Sequence, residues 1–322
     1  LKKKPTVFLS RCIEHGYCRY DGSQISSVFI KKLEPYVNYI TACPEVEIGL
    51  PIPREAIRII KPEATEILVS SQTGVDVTEK MQRYAARRVE QLKGERIHGF
   101  ILKSRSPSCG IKDVKTYKTF GKAPSTGDKT TGFFGRAVLE GFEDYPIEDE
   151  GRLMNYHLRE HFLTQIYTFL AFDEVRDKMT MKALIDFHTK NKYLLMAYHQ
   201  MHQKTLGKIV ANHENKKTHE VIEAYETLLR KSLEKPLRRG TNINMLMHLF
   251  GYFKKELTST EKAYFLDTLE KYHMKKIPFS VPIAIIHAWV VRFDEKYLKY
   301  QTIFEPYPAE ILDVSDSGKG ID

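Results

Sequence analysis

Across EDYPIEDEG, residues 143–151, the chain changes the period of its hydrophobic pattern, and this break constrains the fold more than any other feature. Upstream, PTVFLS (5–10), VNYITA (37–42), EILVSS (66–71) and HGFILK (98–103) read as strands. Between the last two lies VDVTEKMQRYAARRVEQLKG, where Asp76 or Thr78 can cap a helix and Gly94 can stop it. A further helix is predicted after Thr131, in TGFFGRAVLEGF. Strands alternating with helices predict an α/β domain with a Rossmann-like, mostly parallel sheet. Downstream, segments such as HLREHFLTQIYTFLAF, EVIEAYETLLRKSLEK and TEKAYFLDTLEKYH repeat their apolar residues at helical spacing with almost no strand signal. That half is predicted all-α. The acidic, proline- and glycine-containing break reads as a linker. The expected domains are therefore 1–148 and 152–312, with a flexible tail at 313–322.

A chain of 322 residues is long for one core, in keeping with two domains. No apolar run approaches the roughly 18–20 residues of a membrane span. The opening LKKKPTVFLSRC turns polar too soon for a signal peptide, so a cytoplasmic protein without a membrane partner is expected. The formal net charge is +9, and its excess is uneven: 24 Lys and Arg face 20 Asp and Glu in 1–150, against 25 facing 16 in 151–304. Such an excess fits nucleic acid, an anionic surface or solubility alone.

The four cysteines are too few for a disulfide scaffold in a chain of this size, and in the cytosol they point to metal or catalytic use. Cys12 follows the strand TVFLS, Cys43 follows NYITA, and Cys109 lies just beyond GFILK in KSRSPSCG. Strand carboxyl ends gather along one edge of a parallel sheet, so these three can converge although they are far apart in sequence. Three thiolates suit zinc or an iron–sulfur cluster with one position left open, and three separate core thiols is the alternative. Cys18, six residues after Cys12 on a loop, lacks the strand-end placement. It reads as a plain loop residue, with a fourth ligand or a resolving thiol as the other choices.

Taken together, SRC…CRYDG (10–22), TACPEVEIGLPIPRE (41–55) and KSRSPSCG (103–110) resemble the thiouracil desulfidase family over roughly residues 5–145. The helical half, with LIDFHTKNKYLLMAYHQMHQKTLG and PFSVPIAIIHAWV, resembles the domain fused to that module in YbgA-like bacterial proteins. The resemblance implies a [4Fe–4S] cluster on Cys12, Cys43 and Cys109 with one iron free to take sulfur. It also implies catalytic positions at Glu45 of the CPE turn and at Ser106. The fused arrangement implies desulfuration of 4-thiouridine in tRNA to uridine. The stretch IEHGYCRYDG departs from simpler members, which have a more apolar, cysteine-free segment after the ligand.

If tRNA is the partner, the helical half should hold it, and Lys190, Lys192, Lys204, Lys208, Arg238 and Arg239 are the candidate RNA-facing residues. Arg54, Lys103 and Arg105 are further basic residues able to meet phosphate or simply to be solvated. Two other functions compete: a desulfidase of free thiolated bases or nucleosides, and a non-catalytic metal-containing RNA-binding module.

Overall fold

The computed structural model describes residues 3–62 and 65–311. The predicted tail, 313–322, lies outside them. The chain divides into one compact unit reaching to Phe162 and a second spanning Leu163–Ala309.

In the first unit, strands β1 (Thr6–Ser10), β2 (Asn38–Ala42), β5 (Gly99–Leu102) and β8 (Ile147–Asp149) form one sheet in the order β2-β1-β5-β8. Every pair in it is parallel. All four residues of β5 are buried, as expected for an inner parallel strand covered on both faces. A second sheet contains β3 (Ile57–Ile60), β4 (Ile67–Ser70), β6 (Val114–Tyr117) and β7 (Ser125–Thr130), ordered β4-β3-β6-β7. Its β3–β4 and β6–β7 pairs are antiparallel and its β3–β6 pair is parallel. EILVSS therefore does not join the other predicted strands but pairs in this mixed sheet. The segment read as a linker instead supplies β8, paired to β5 with Ile101 opposite Glu148. Glu148 and Asp149, which give β8 the look of a connector, are buried, and Arg152 satisfies both, through its Nε on Glu148 at 2.5 Å and its backbone N–H on Asp149 at 2.8 Å.

Four helices complete this unit before the chain turns fully helical: α1 (Val28–Leu33), α2 (Pro44–Glu47), α3 (Thr78–Lys93) and α4 (Phe133–Gly141). The Asp76 carboxylate accepts the Thr78 N–H at 2.7 Å and the Thr78 hydroxyl accepts the Leu68 N–H at 2.8 Å, but the N-cap of α3 is Val77, which makes no side-chain cap, so neither predicted residue is the cap. Gly94 follows its last turn. The core joins Phe8, Phe100, Phe134 and Phe142 with Met81, Tyr84 and Val89 of α3. Phe100 and Phe142 lie with ring centroids 4.6 Å apart.

Helix α5 (Tyr156–Lys178) leads into the second unit, which holds α6 (Met181–Tyr198), α7 (Gln200–Ala211), α8 (Thr218–Ser232), α9 (Arg239–Phe250), α10 (Ser259–His273) and α11 (Ser280–Arg292). Among the described residues this unit contains no strand. Its core runs from Phe172 and Leu195 through Tyr225, Leu246 and Phe265 to Trp289. The long run FHTKNKYLLMAYHQMHQK is two helices rather than one. His199 sits in extended backbone between α6 and α7, and its Nδ1 accepts the His202 N–H at 3.2 Å. It caps α7. No described helix is long and apolar enough to cross a membrane.

Candidate metal centre and its acid–base chain

Strand order brings the predicted residues together. β1, β2 and β5 are neighbours, so the segments after their carboxyl ends open onto a common cavity of about 280 Å³. Cys12, Cys43, Cys109, Glu45 and Ser106 all line it. Cys43 is in extended backbone and begins α2, and Pro44 occupies the first helical position, where its missing N–H costs nothing. Glu45 is thereby held in the first turn, two residues from the thiol.

The loop carrying Cys109 is fixed from three sides. At its start, Glu150 accepts the Ser104 N–H at 2.8 Å and the Ser104 hydroxyl at 2.7 Å, and it pairs with Lys103 at 2.5 Å. Lys103 N–H donates to the Ser10 hydroxyl at 3.0 Å. At its end, N–H groups at the start of α4, which lack partners within the helix, find loop carbonyls. Phe133 donates to Pro107 O at 3.1 Å and Phe134 to Ser108 O at 2.9 Å, while Gly132 donates to Gly110 O at 2.7 Å. This close approach demands glycine. A Cβ on Gly132 would lie 2.6 Å from Ser108 O and 2.7 Å from Ser106 O.

Gly132→Ala is accordingly expected to lower stability by about 1–3 kcal/mol, as overpacking does, and to loosen the Cys109 loop. Urea midpoints and iron uptake measured together check it. An unchanged midpoint with full iron uptake would show that the contact can relax without consequence.

The acid–base groups form a chain. Both Arg54 Nε and Nη2 reach Glu45 Oε2, at 2.9 and 2.6 Å, with the Arg54 side chain 3% and the Glu45 side chain 13% exposed. The other carboxylate oxygen, Oε1, accepts the Ser108 hydroxyl at 2.8 Å. Ser108 Oγ and Ser106 Oγ are 2.9 Å apart. Ser108 has a single hydroxyl proton, and it goes to the carboxylate, so Ser106 must be the donor to Ser108. Ser106 Oγ also accepts the Cys109 N–H at 3.2 Å.

Three features of this site differ from the sequence expectations. Cys18, expected as a loop residue outside the set, is buried at 4% exposure and lines the same cavity. Its loop is folded back by the Ile13–Ile25 bridge. Its carbonyl accepts the Cys43 thiol at 3.7 Å, and the neighbouring Cys12 thiol pushes the Cys18 thiol up to about 11. Arg54, expected to be solvated or to meet phosphate, is instead the buried partner of Glu45, and its Nη2 also donates to Cys18 O at 3.0 Å. Ser108, two residues beyond the candidate Ser106, is the link between Ser106 and Glu45. A carboxylate and an arginine nine residues apart around a proline-rich turn is the one available signal for the Glu45–Arg54 pair.

All four cysteines are free thiols and all four are buried. Burial pushes Cys109 up to about 12, and the contact with Cys18 followed by burial raises Cys43. Without a cation these groups hold their protons, so loading a metal releases protons. Among the described residues, no three His, Cys, Asp or Glu side chains converge tightly enough to hold a single ion.

At the cavity lining, Tyr20 is 43% exposed, and Arg105 is exposed with a left-handed backbone at φ 55°. Lys103, by contrast, is committed to Glu150. In the helical unit, Lys190 lies exposed on α6, Lys204 and Lys208 are exposed on α7, and Arg238 is exposed just before α9. Lys192 lies over the rings of Tyr193 and Tyr297, and Arg239 donates to Tyr272 O at 2.8 Å, so both are also packing residues.

Residues 7–150 match the family described as 2-thiouracil desulfurase, and residues 192–308 match a family described as protein of unknown function, DUF1722. The uncharacterized protein YbbK of Bacillus subtilis (strain 168) is 35% identical over 152 residues, which cover 46% of this chain and 97% of that relative. The uncharacterized protein YbgA of Escherichia coli (strain K12) is 26% identical over 141 residues, covering 44% of this chain and 83% of YbgA. Among solved structures, a [4Fe–4S]-dependent thiouracil desulfidase, TudS, is 27% identical, covering 47% of this chain and 93% of that one with a TM-score of 0.37.

Proposed function

Since this chain belongs, through residues 7–150, to the 2-thiouracil desulfurase family, we propose that it replaces the sulfur of 4-thiouridine in tRNA by oxygen from water. The reaction balances without electrons: a thiocarbonyl and water become a carbonyl and hydrogen sulfide. The observation that carries this reading is the convergence of Cys12, Cys43 and Cys109 on the cavity that also holds Glu45, Ser108 and Ser106.

The donor set fits a [4Fe–4S] cluster. Three soft thiolates come from three strand ends and are spread around a cavity, which suits a cluster whose irons each take one thiolate better than a single zinc ion. When bound, the cluster supplies a thiophilic Lewis acid that polarises the C=S bond and takes the departing sulfide.

The remaining work belongs to this chain. The attacking water gives its proton to Ser106, whose own proton passes to Ser108 and on to Glu45 Oε1. Arg54 occupies Oε2 and keeps the carboxylate in one orientation, leaving Oε1 as the accepting oxygen. Tyr20 offers a ring for a pyrimidine, and Arg105 a cation for a neighbouring phosphate. The helical domain, taken as 152–312, would hold the rest of the tRNA through Lys190, Lys204, Lys208 and Arg238, with Lys192 and Arg239 nearby in sequence. Such a protein would act in the cytoplasm.

The test uses the full chain, with its cluster reconstituted anaerobically, on tRNA containing 4-thiouridine, on the free nucleoside and on free 4-thiouracil. Loss of the thiolated-uridine absorbance with matching sulfide release is expected for tRNA at the highest kcat/KM. Preference for the free base would move the substrate to small molecules, and no sulfide from any of the three would remove the desulfidase reading.

A further inference from the structure

A second concavity in the first unit, about 760 Å³, lies on the mixed sheet and is chemically unlike the cysteine cavity. Lys61 follows β3, Lys112 lies three residues after Cys109, and Lys129 is on β7. All three are exposed, and none has an ion pair among the described residues. Arg136 of α4 also lines the groove, but it pairs with Glu66 and donates to the hydroxyls of Thr131 at 3.0 Å and Thr130 at 3.2 Å. Among the described lining residues the four cations outnumber the carboxylates Glu66 and Asp113, and Glu66 is paired with Arg136.

The groove and the cysteine cavity share a wall. Pro107 lines the cavity and Phe133 lines the groove, and the Phe133 N–H donates to the Pro107 carbonyl at 3.1 Å. Lys112 and Cys109 belong to the same short loop, whose Gly110 carbonyl takes the Gly132 N–H. A polyanion lying along the lysines would therefore run one loop's thickness from the thiols.

We infer that this groove binds the phosphate backbone of the RNA that carries the thiolated base, so that the α/β unit holds its polynucleotide itself. The inference rests on the proposed RNA substrate. Three unpaired ammonium groups on an open, hydroxyl-lined groove suit successive phosphates of one strand. Total charge alone points to the helical half, because the α/β unit is nearly balanced. The stretch 110–131 is nevertheless lysine-rich, with Lys112, Lys115, Lys118, Lys122 and Lys129 against Asp113 and Asp128, and of these Lys112 and Lys129 line the groove.

The experiment measures binding of unthiolated tRNA to the full chain by fluorescence anisotropy across a salt series, together with desulfuration of free 4-thiouracil. The variants are Lys61→Ala/Lys112→Ala/Lys129→Ala and a control, Lys4→Ala/Lys31→Ala/Lys93→Ala, with the same change of charge. The groove triple should bind tRNA roughly tenfold or more weakly. Its log–log salt slope should flatten by about 2–3, near 0.7–0.9 for each phosphate no longer neutralised. The control should keep the wild-type slope, and both should process 4-thiouracil at the wild-type rate. Equal weakening in both triples, or none in the groove triple, overturns the inference. Because the binding arm uses unthiolated tRNA, it reads the groove even if no substrate is desulfurated, and the 4-thiouracil arm reads the chemistry even if the groove is idle.

Discussion

Cys12→Ala, Cys43→Ala and Cys109→Ala will each leave reconstituted protein without a stable cluster and with desulfuration at background. Each of the three thiols follows a different parallel strand, so none of the three can take another's place without moving a strand. Cys18→Ala is expected to keep iron, because the three strand-end ligands remain, although Cys18 lines the same cavity. Iron per chain and the visible cluster absorbance are the measurements. Full iron retention in any of the three strand-end variants would strike that residue from the ligand set. Depletion in Cys18→Ala as severe as in the others would make four thiols, rather than three, the binding unit.

Glu45→Gln will carry two separable effects. The amide cannot accept a proton, so single-turnover sulfide release at equal iron content should fall by about 10²–10⁴-fold. The same change leaves the buried Arg54 guanidinium without its counter-charge, and breaking a buried pair from one side costs up to roughly 3–5 kcal/mol. The Gln oxygen can still accept from Arg54, so the cost should fall below that range. Arg54→Gln should lower stability as well, by stranding the carboxylate instead. Comparing urea midpoints with single-turnover rates separates the roles. A large fall in midpoint with an unchanged rate would make Glu45 a structural carboxylate and end the proton chain through Ser108.

Several elements are legible in the sequence because they depend on short-range chemistry. Hydrophobic period separates strands from helices, and the end of α3 can be named from Gly94 because a cap is made within a few residues of its helix. The mixed sheet is less legible. STGDKT, the β7 strand, is mostly exposed and shows no apolar alternation, and IRII, the β3 strand, is too short to separate from a generic buried run. β8 is hidden for a related reason. It too lacks apolar alternation, and its Glu148 and Asp149 are buried only by pairing with Arg152.

By itself the sequence determined the two structural classes and the three cysteines that gather at one sheet edge. These follow from local periodicity and from the rule that parallel strands end on the same side. Only the tertiary structure decided that Cys18 joins those thiols, that Arg54 is buried against Glu45 rather than free for phosphate, and that Ser108 links the carboxylate to Ser106. Those contacts are made across loops, whose paths are set by backbone hydrogen bonds and packing: Glu150 on Ser104, the Ile13–Ile25 bridge, and the start of α4 on the carbonyls of Pro107 and Ser108. No residue spacing encodes such paths, because the partners lie up to 63 positions apart, as in Glu45 and Ser108, and meet only once the sheet has formed.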